Sequence, residues 1–200
     1  MSSPVLWYAT RATGLVSVVL LSATTVLGIL VANRLATTRW PGFALQSLHR
    51  RVSLITMAFL VGHVLTSVMD SYVHVGWAAV VVPFASGYKP AWVALGTIGL
   101  DLLLAVALTS VLRHVMAART WRAVHWLAYV SWPLGLAHAF GMGTDMGSPW
   151  VLALAATCTA AVVAAAGWRL GAARHERRRV ADVPGIRHRP AGVAVKRLPA

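Results

Sequence analysis

LHRRVSLITMAFLVGH, Leu48 to His63, is an apolar run with one histidine near its start and another at its end. Its apolar continuation from Val52 to Met69 is long enough to cross a bilayer, whose hydrocarbon core of about 30 Å needs about 20 helical residues at 1.5 Å each. Imidazoles are expensive in such a segment, so His49 and His63 call for a physical reason to be there.

Working outward, four further runs have the same character: Thr13 to Ala32, Ala91 to Leu112, Val124 to Phe140 and Trp150 to Trp168. With 58% hydrophobic residues and only five acids in 200, this is not the composition of a soluble domain. The expected fold is an all-α membrane protein, a bundle of about five transmembrane helices. HVGWAAVVVPFAS, His74 to Ser86, is too short to span and is interrupted by Pro83, so it reads as a sixth, re-entrant or interfacial segment.

The formal charge of +13 follows the loops. Arg34, Arg39, Arg50 and Arg51 follow the first helix, and Arg113, Arg119 and Arg122 follow the third. The tail carries nine more basic residues between Arg169 and Arg197. The opposite side has Arg11 and Lys89 with Asp70 and Asp145. Positive charge gathers on the cytoplasmic face, which puts the N-terminus outside and the C-terminus inside and excludes nucleic acid as the partner. Membrane lipid is the expected surround. Residues 1–168 form the membrane domain, and residues 169–200 a basic, disordered cytoplasmic tail that contacts lipid headgroups.

No cleavable leader is expected, since the first run is long enough to span and no A-x-A site follows it. The lone Cys158 excludes an internal disulfide, a cysteine zinc site and an iron–sulfur cluster. The absence of C-x-x-C-H excludes covalent haem attachment.

A second histidine pair lies in VHWLAYVSWPLGLAH. His49 and His63 are fourteen residues apart, and His125 and His138 thirteen. Both helices run from inside to outside. Their vertical separations of about 21 and about 19.5 Å therefore put His49 level with His125, and His63 level with His138. Phase is less accommodating. Fourteen residues return to within about 40° of the same helix face, whereas thirteen miss by about 140°. Pro133 and Gly135 are the expected means of bringing His138 round.

Two histidines facing each other across about 10 Å suit a haem iron, which takes two axial imidazoles from facing helices while its macrocycle fills the apolar gap. Any one of these histidines alone is more simply read as an interfacial side chain. Four at matched depths are not.

The His-x13-His helix followed two helices later by a His-x12-His helix resembles the ferric reductase-like transmembrane domain family. That family includes the NADPH oxidases, the yeast-type ferric reductases and the bacterial haem subunit MsrQ. ALQSLHRRVSLITMAFLVGH and RTWRAVHWLAYVSWPLGLAH look like its two haem helices, and the likeness extends over roughly Leu6 to Trp168. It implies two b-type haems, one on His49 and His125 and one on His63 and His138, carrying electrons between the membrane faces. The chain departs from the family's larger members in ending 32 residues after its last apolar run, with no dinucleotide fingerprint. Its five helices are also one fewer than the family's usual six. The expected donor is a separate flavoprotein or other redox partner, with FMN, FAD or a quinone supplied through it.

Arg50, Arg51 and Arg122 flank the inner histidines and are candidates for haem propionates, or they simply belong to the cytoplasmic charge. Arg11 is likewise a propionate contact or an interfacial anchor. Asp101, deep in the third helix, reads as a carboxylate hydrogen-bonded to a neighbouring helix, or as a proton relay. His74 and His114 read as solvated, and most of the nine Trp as an interfacial belt. Two other functions fit parts of the pattern: a proton-coupled transporter using the histidines and Asp101, and a cofactor-free scaffold subunit.

Overall fold

A computed structural model describes residues 4–33, 41–70 and 75–181. Among these, every regular element is helical: α1 (Pro4–Ala32), α2 (Gly42–Met69), α3 (Pro90–Val111), α4 (Ala118–His125), α5 (Leu127–Met142) and α6 (Pro149–Ala181), with short 3-10 turns between some of them. The expectations for Arg34, Arg39, His74 and residues 182–200 fall outside the described residues.

Among the described residues four helices are long and apolar enough to cross a membrane: α1, α2, α3 and α6 up to Ala172. The remaining span is divided, because α4 stops at His125 and α5 has only 16 residues, about 24 Å of rise. The architecture is that of a multi-pass membrane protein. Large apolar side chains such as Leu54, Leu65, Leu108 and Val163 face outward, as contact with lipid tails requires. Hydroxyls within the spans bond back to carbonyls four residues earlier, for example Ser22 Oγ to Val18 O and Thr66 Oγ1 to Gly62 O, both at 2.8 Å. Their polarity is thereby met within their own helix.

Helix α1 is the hub. It packs along α2, against α5 and against α6, while α3 packs chiefly on α5. On α6 the buried positions Val151, Ala155, Cys158 and Val162 recur at helical spacing and form a single seam of small and medium side chains. Most of the alanines of this helix, Ala153, Ala156, Ala160, Ala161 and Ala164 among them, are exposed instead. Trp132 Nε1 donates to Ser22 Oγ at 2.9 Å and fastens α5 to α1.

The segment expected to be re-entrant or interfacial contains one 3-10 turn, Trp77–Val80. Ala79 is buried, and its carbonyl accepts the Thr97 hydroxyl at 2.6 Å, while Trp77, Val81, Val82 and Phe84 stay exposed. Anchored at one point on α3 with its apolar side chains outward, it adds no sixth crossing among the described residues.

Candidate functional site

The rings of His49 and His125 have centroids 6.3 Å apart with planes at 73°. Those of His63 and His138 are 6.2 Å apart at 83°. The chain thus forms two facing pairs, one per layer, closer than the 10 Å expected from helix spacing.

The span that carries the second pair is interrupted, but not at Pro133. Helix α5 passes through Pro133 without a break in its helical run. The interruption falls at Trp126, directly after His125, where α4 ends and α5 begins. Tyr129 N–H bonds to Trp126 O at 3.0 Å, a three-residue step that tightens the turn locally.

Three imidazoles are anchored from behind. His63 Nδ1 donates to Thr10 O at 2.9 Å, His138 Nδ1 to Trp92 O at 2.8 Å and His49 Nδ1 to Thr24 O at 3.2 Å. A carbonyl can only accept, so these rings carry their proton on Nδ1 and leave the Nε2 lone pair available. Metal-ligating histidines are commonly oriented in this way. His125 differs: among the described residues its buried Nδ1 has no hydrogen-bond partner, and its ring stacks on Trp121 at 5.0 Å and 28°.

Glycines adjoin the three anchored rings. A Cβ at Gly14 would stand 3.0 Å from His63 Cε1, one at Gly28 3.3 Å from His49 Cε1, and one at Gly96 2.6 Å from His138 Nδ1. Gly14 and Gly28 are fourteen residues apart, the same spacing as His63 and His49 on the antiparallel α2. That repeated spacing was readable in the sequence and is the signal its reading passed over.

The His63–His138 layer opens into a cavity of 320 Å³, lined largely by apolar side chains and also by Trp7, Arg11, Asp70 and Asp145. This lies within the range of about 300–1,000 Å³ usual for ligand and cofactor sites. Arg11 forms an ion pair with Asp145, and its guanidinium lies 4.1 Å from the centre of the Trp7 ring.

A metal bonded to two imidazoles at about 2.0–2.1 Å each, with ring nitrogens about 1.1 Å from their centroids, separates those centroids by about 6.3 Å. Both pairs have that separation. No third His, Cys, Asp or Glu joins either pair among the described residues. A metal held there would need its other ligands from a cofactor, which is what a porphyrin provides. The residues present therefore fit a haem.

The sequence from residue 13 to 136 matches the model of the ferric reductase like transmembrane component family. The chain belongs to that family. The matched region contains His49, His63 and His125 and stops two residues before His138. Ferric reductase-like domains carry electrons across membranes and generally bind haem. No curated protein and no solved structure matches the chain.

In this ferric reductase-like domain, Arg50 and Arg122 are both exposed and adjoin the inner pair along the chain, Arg50 next to His49 and Arg122 one turn before His125. Arg51 is exposed beside Arg50, and His114 at the end of α3 is exposed too. Asp101 is only partly buried, and no described residue forms a hydrogen bond or ion pair with its carboxylate. The expected bond to a neighbouring helix is therefore not formed among the described residues. A feature the sequence reading missed is Arg169, which donates to Tyr129 Oη at 3.0 Å and lies 5.0 Å from the Trp126 ring centre, bracing the break between α4 and α5.

Proposed function

We propose that the protein transfers electrons across the membrane through two bis-histidine b-type haems, an inner one on His49 and His125 and an outer one on His63 and His138. It would do so for a separate oxidoreductase partner. Each haem iron, when bound, supplies a one-electron station by cycling between ferrous and ferric states. The chain's own residues present an imidazole from either side, surround the site with apolar side chains and keep water away. The observation that carries this reading is the double pair itself, two facing sets of imidazoles at 6.2 and 6.3 Å with three of four rings already anchored through Nδ1.

Arg50 and Arg122 are the proposed partners of the inner haem's propionates, and Arg11, inside the outer cavity, of the outer haem's. The N-terminus is outside and the C-terminus cytoplasmic, on the strength of the basic residues gathered at one end of the bundle. Electrons arrive from, or leave to, a flavoprotein or quinone through the partner.

Reduced-minus-oxidised and pyridine haemochrome spectra of the purified chain, expressed with ample haem, test the proposal. Two b-type haems per chain are expected. One would remove a layer from the scheme, and none would reject it.

A further inference from the structure

The three anchored histidines obey one rule. In each case the accepting carbonyl lies four residues before the glycine that faces the ring: Thr10 before Gly14, Thr24 before Gly28, Trp92 before Gly96. In an α-helix the carbonyl at that position already receives the glycine's own N–H, but its second lone pair points out past the glycine's Cα. Any Cβ there would cover the carbonyl and occupy the place of the imidazole edge. The same offset occurs three times on two helices, so it is a property of the packing and not of one loop.

His125 breaks the rule. Its Nδ1 has no hydrogen-bond partner among the described residues, and its ring is oriented by stacking on Trp121 at the last residue of α4, beside the break at Trp126. Fourteen residues beyond Gly96, where a fourth glycine would continue the pattern of α1, the chain has Ser110.

We propose that Gly14, Gly28 and Gly96 are positioning residues, each opening a helix carbonyl that fixes the tautomer and direction of one histidine, and that His125 is the exchangeable ligand of the inner pair. This rests on the reading that the pairs hold haem. A ring whose proton is held on Nδ1 meets the metal with Nε2 already aimed, so little ordering remains to be done when the bond forms. His125 has no such hold and leaves its metal more easily. The two layers are consequently unequal: the outer is closed by two anchored rings, the inner by one.

Haem content and ligand binding of the full chain, purified and haem-loaded, test this without measuring turnover. Loss of an outer-shell partner typically costs about 10–100-fold in metal affinity, so Gly14→Ala and Gly96→Ala should each reduce the chain to its inner haem, and Gly28→Ala to its outer one. Gly62→Ala and Gly167→Ala are the controls. Their Cβ atoms would meet nothing closer than 3.9 Å, and both haems should remain. Unchanged haem content in all three cradle variants would overturn the glycine role.

Carbon monoxide added to the reduced wild-type protein bypasses any folding defect of a variant. It should bind one haem in two, persist in His63→Ala protein and vanish in His49→Ala protein. Equal binding at both haems, or binding confined to the outer one, would overturn the role of His125. Wild-type protein with no haem would sink the functional reading itself. Wild-type protein with two haems and indifferent glycine variants would sink only this inference.

Discussion

Trp132 Nε1 lies 2.9 Å from Ser22 Oγ, and this bond crosses from α5 to α1 at a depth between the two histidine layers. Ser22 is 3% exposed, and its own proton goes to Val18 O, so its oxygen is free to accept. Trp132→Phe removes one hydrogen bond and leaves the serine satisfied as a donor. Interhelical bonds in membranes are worth about 0.6 kcal/mol on average, and a small loss of that order is expected. Ser22→Ala instead leaves a half-buried indole N–H without its partner, which costs up to about 1–3 kcal/mol. Thermal unfolding in detergent should rank Ser22→Ala as the more damaging of the two.

The histidine pairs predict layer-specific losses. If the proposed pairing holds, His63→Ala or His138→Ala should remove the outer haem and spare the inner one, and His49→Ala or His125→Ala should do the reverse. Haem per chain, read from pyridine haemochrome spectra, should fall from two to one in each. Loss of neither haem, or of both together in every variant, would contradict the pairing.

Ring planes at 73° and 83° carry a spectroscopic consequence. If these imidazoles hold haem irons as proposed, planes so far from parallel would leave the two iron orbitals that they perturb nearly equal in energy. Both oxidised haems should therefore give highly anisotropic low-spin EPR signals. Signals of the ordinary rhombic kind would mean that the rings turn towards parallel when the metal binds.

The ion pair of Arg11 with Asp145 is lopsided, for the arginine side chain is 17% exposed and the aspartate 39%. Removing Asp145 strands the more buried charge. Asp145→Asn is expected to cost about 1–2 kcal/mol, below the 3–5 of a fully buried pair because water screens the aspartate. Arg11→Gln leaves only a half-exposed carboxylate and should cost less. Its stronger effect should be weaker retention of the outer haem, read by competition with a soluble haem acceptor.

Topology is open to a direct check. A reporter active only in the cytoplasm, fused after Ala200, should be active, and the same reporter inserted between Gly143 and Ser148 should not. The opposite pattern would invert the charge argument built on Arg119, Arg122 and Arg169.

Much of the bundle was legible beforehand because its causes are local. A run such as Val52 to Met69 has to be a helix in a bilayer, since no other backbone satisfies its own hydrogen bonds there. Its rise per residue fixes how far apart His49 and His63 stand in depth. The exception was the span containing His125. Its break at Trp126 is marked by no proline or glycine, whereas Pro133 lies inside continuous helix. A proline costs one hydrogen bond, and that loss need not interrupt the helical run.

By itself, then, the sequence determined the membrane class, the expected sidedness of its charge and the two depths at which histidines lie. All of these depend on distance along the chain. Which way each ring faces, which carbonyl holds its Nδ1, why Gly14, Gly28 and Gly96 must lack a side chain and why His125 stands apart depend on how each helix is rotated against its neighbour. That rotation is settled by packing between segments remote in sequence, and only the tertiary structure decides it.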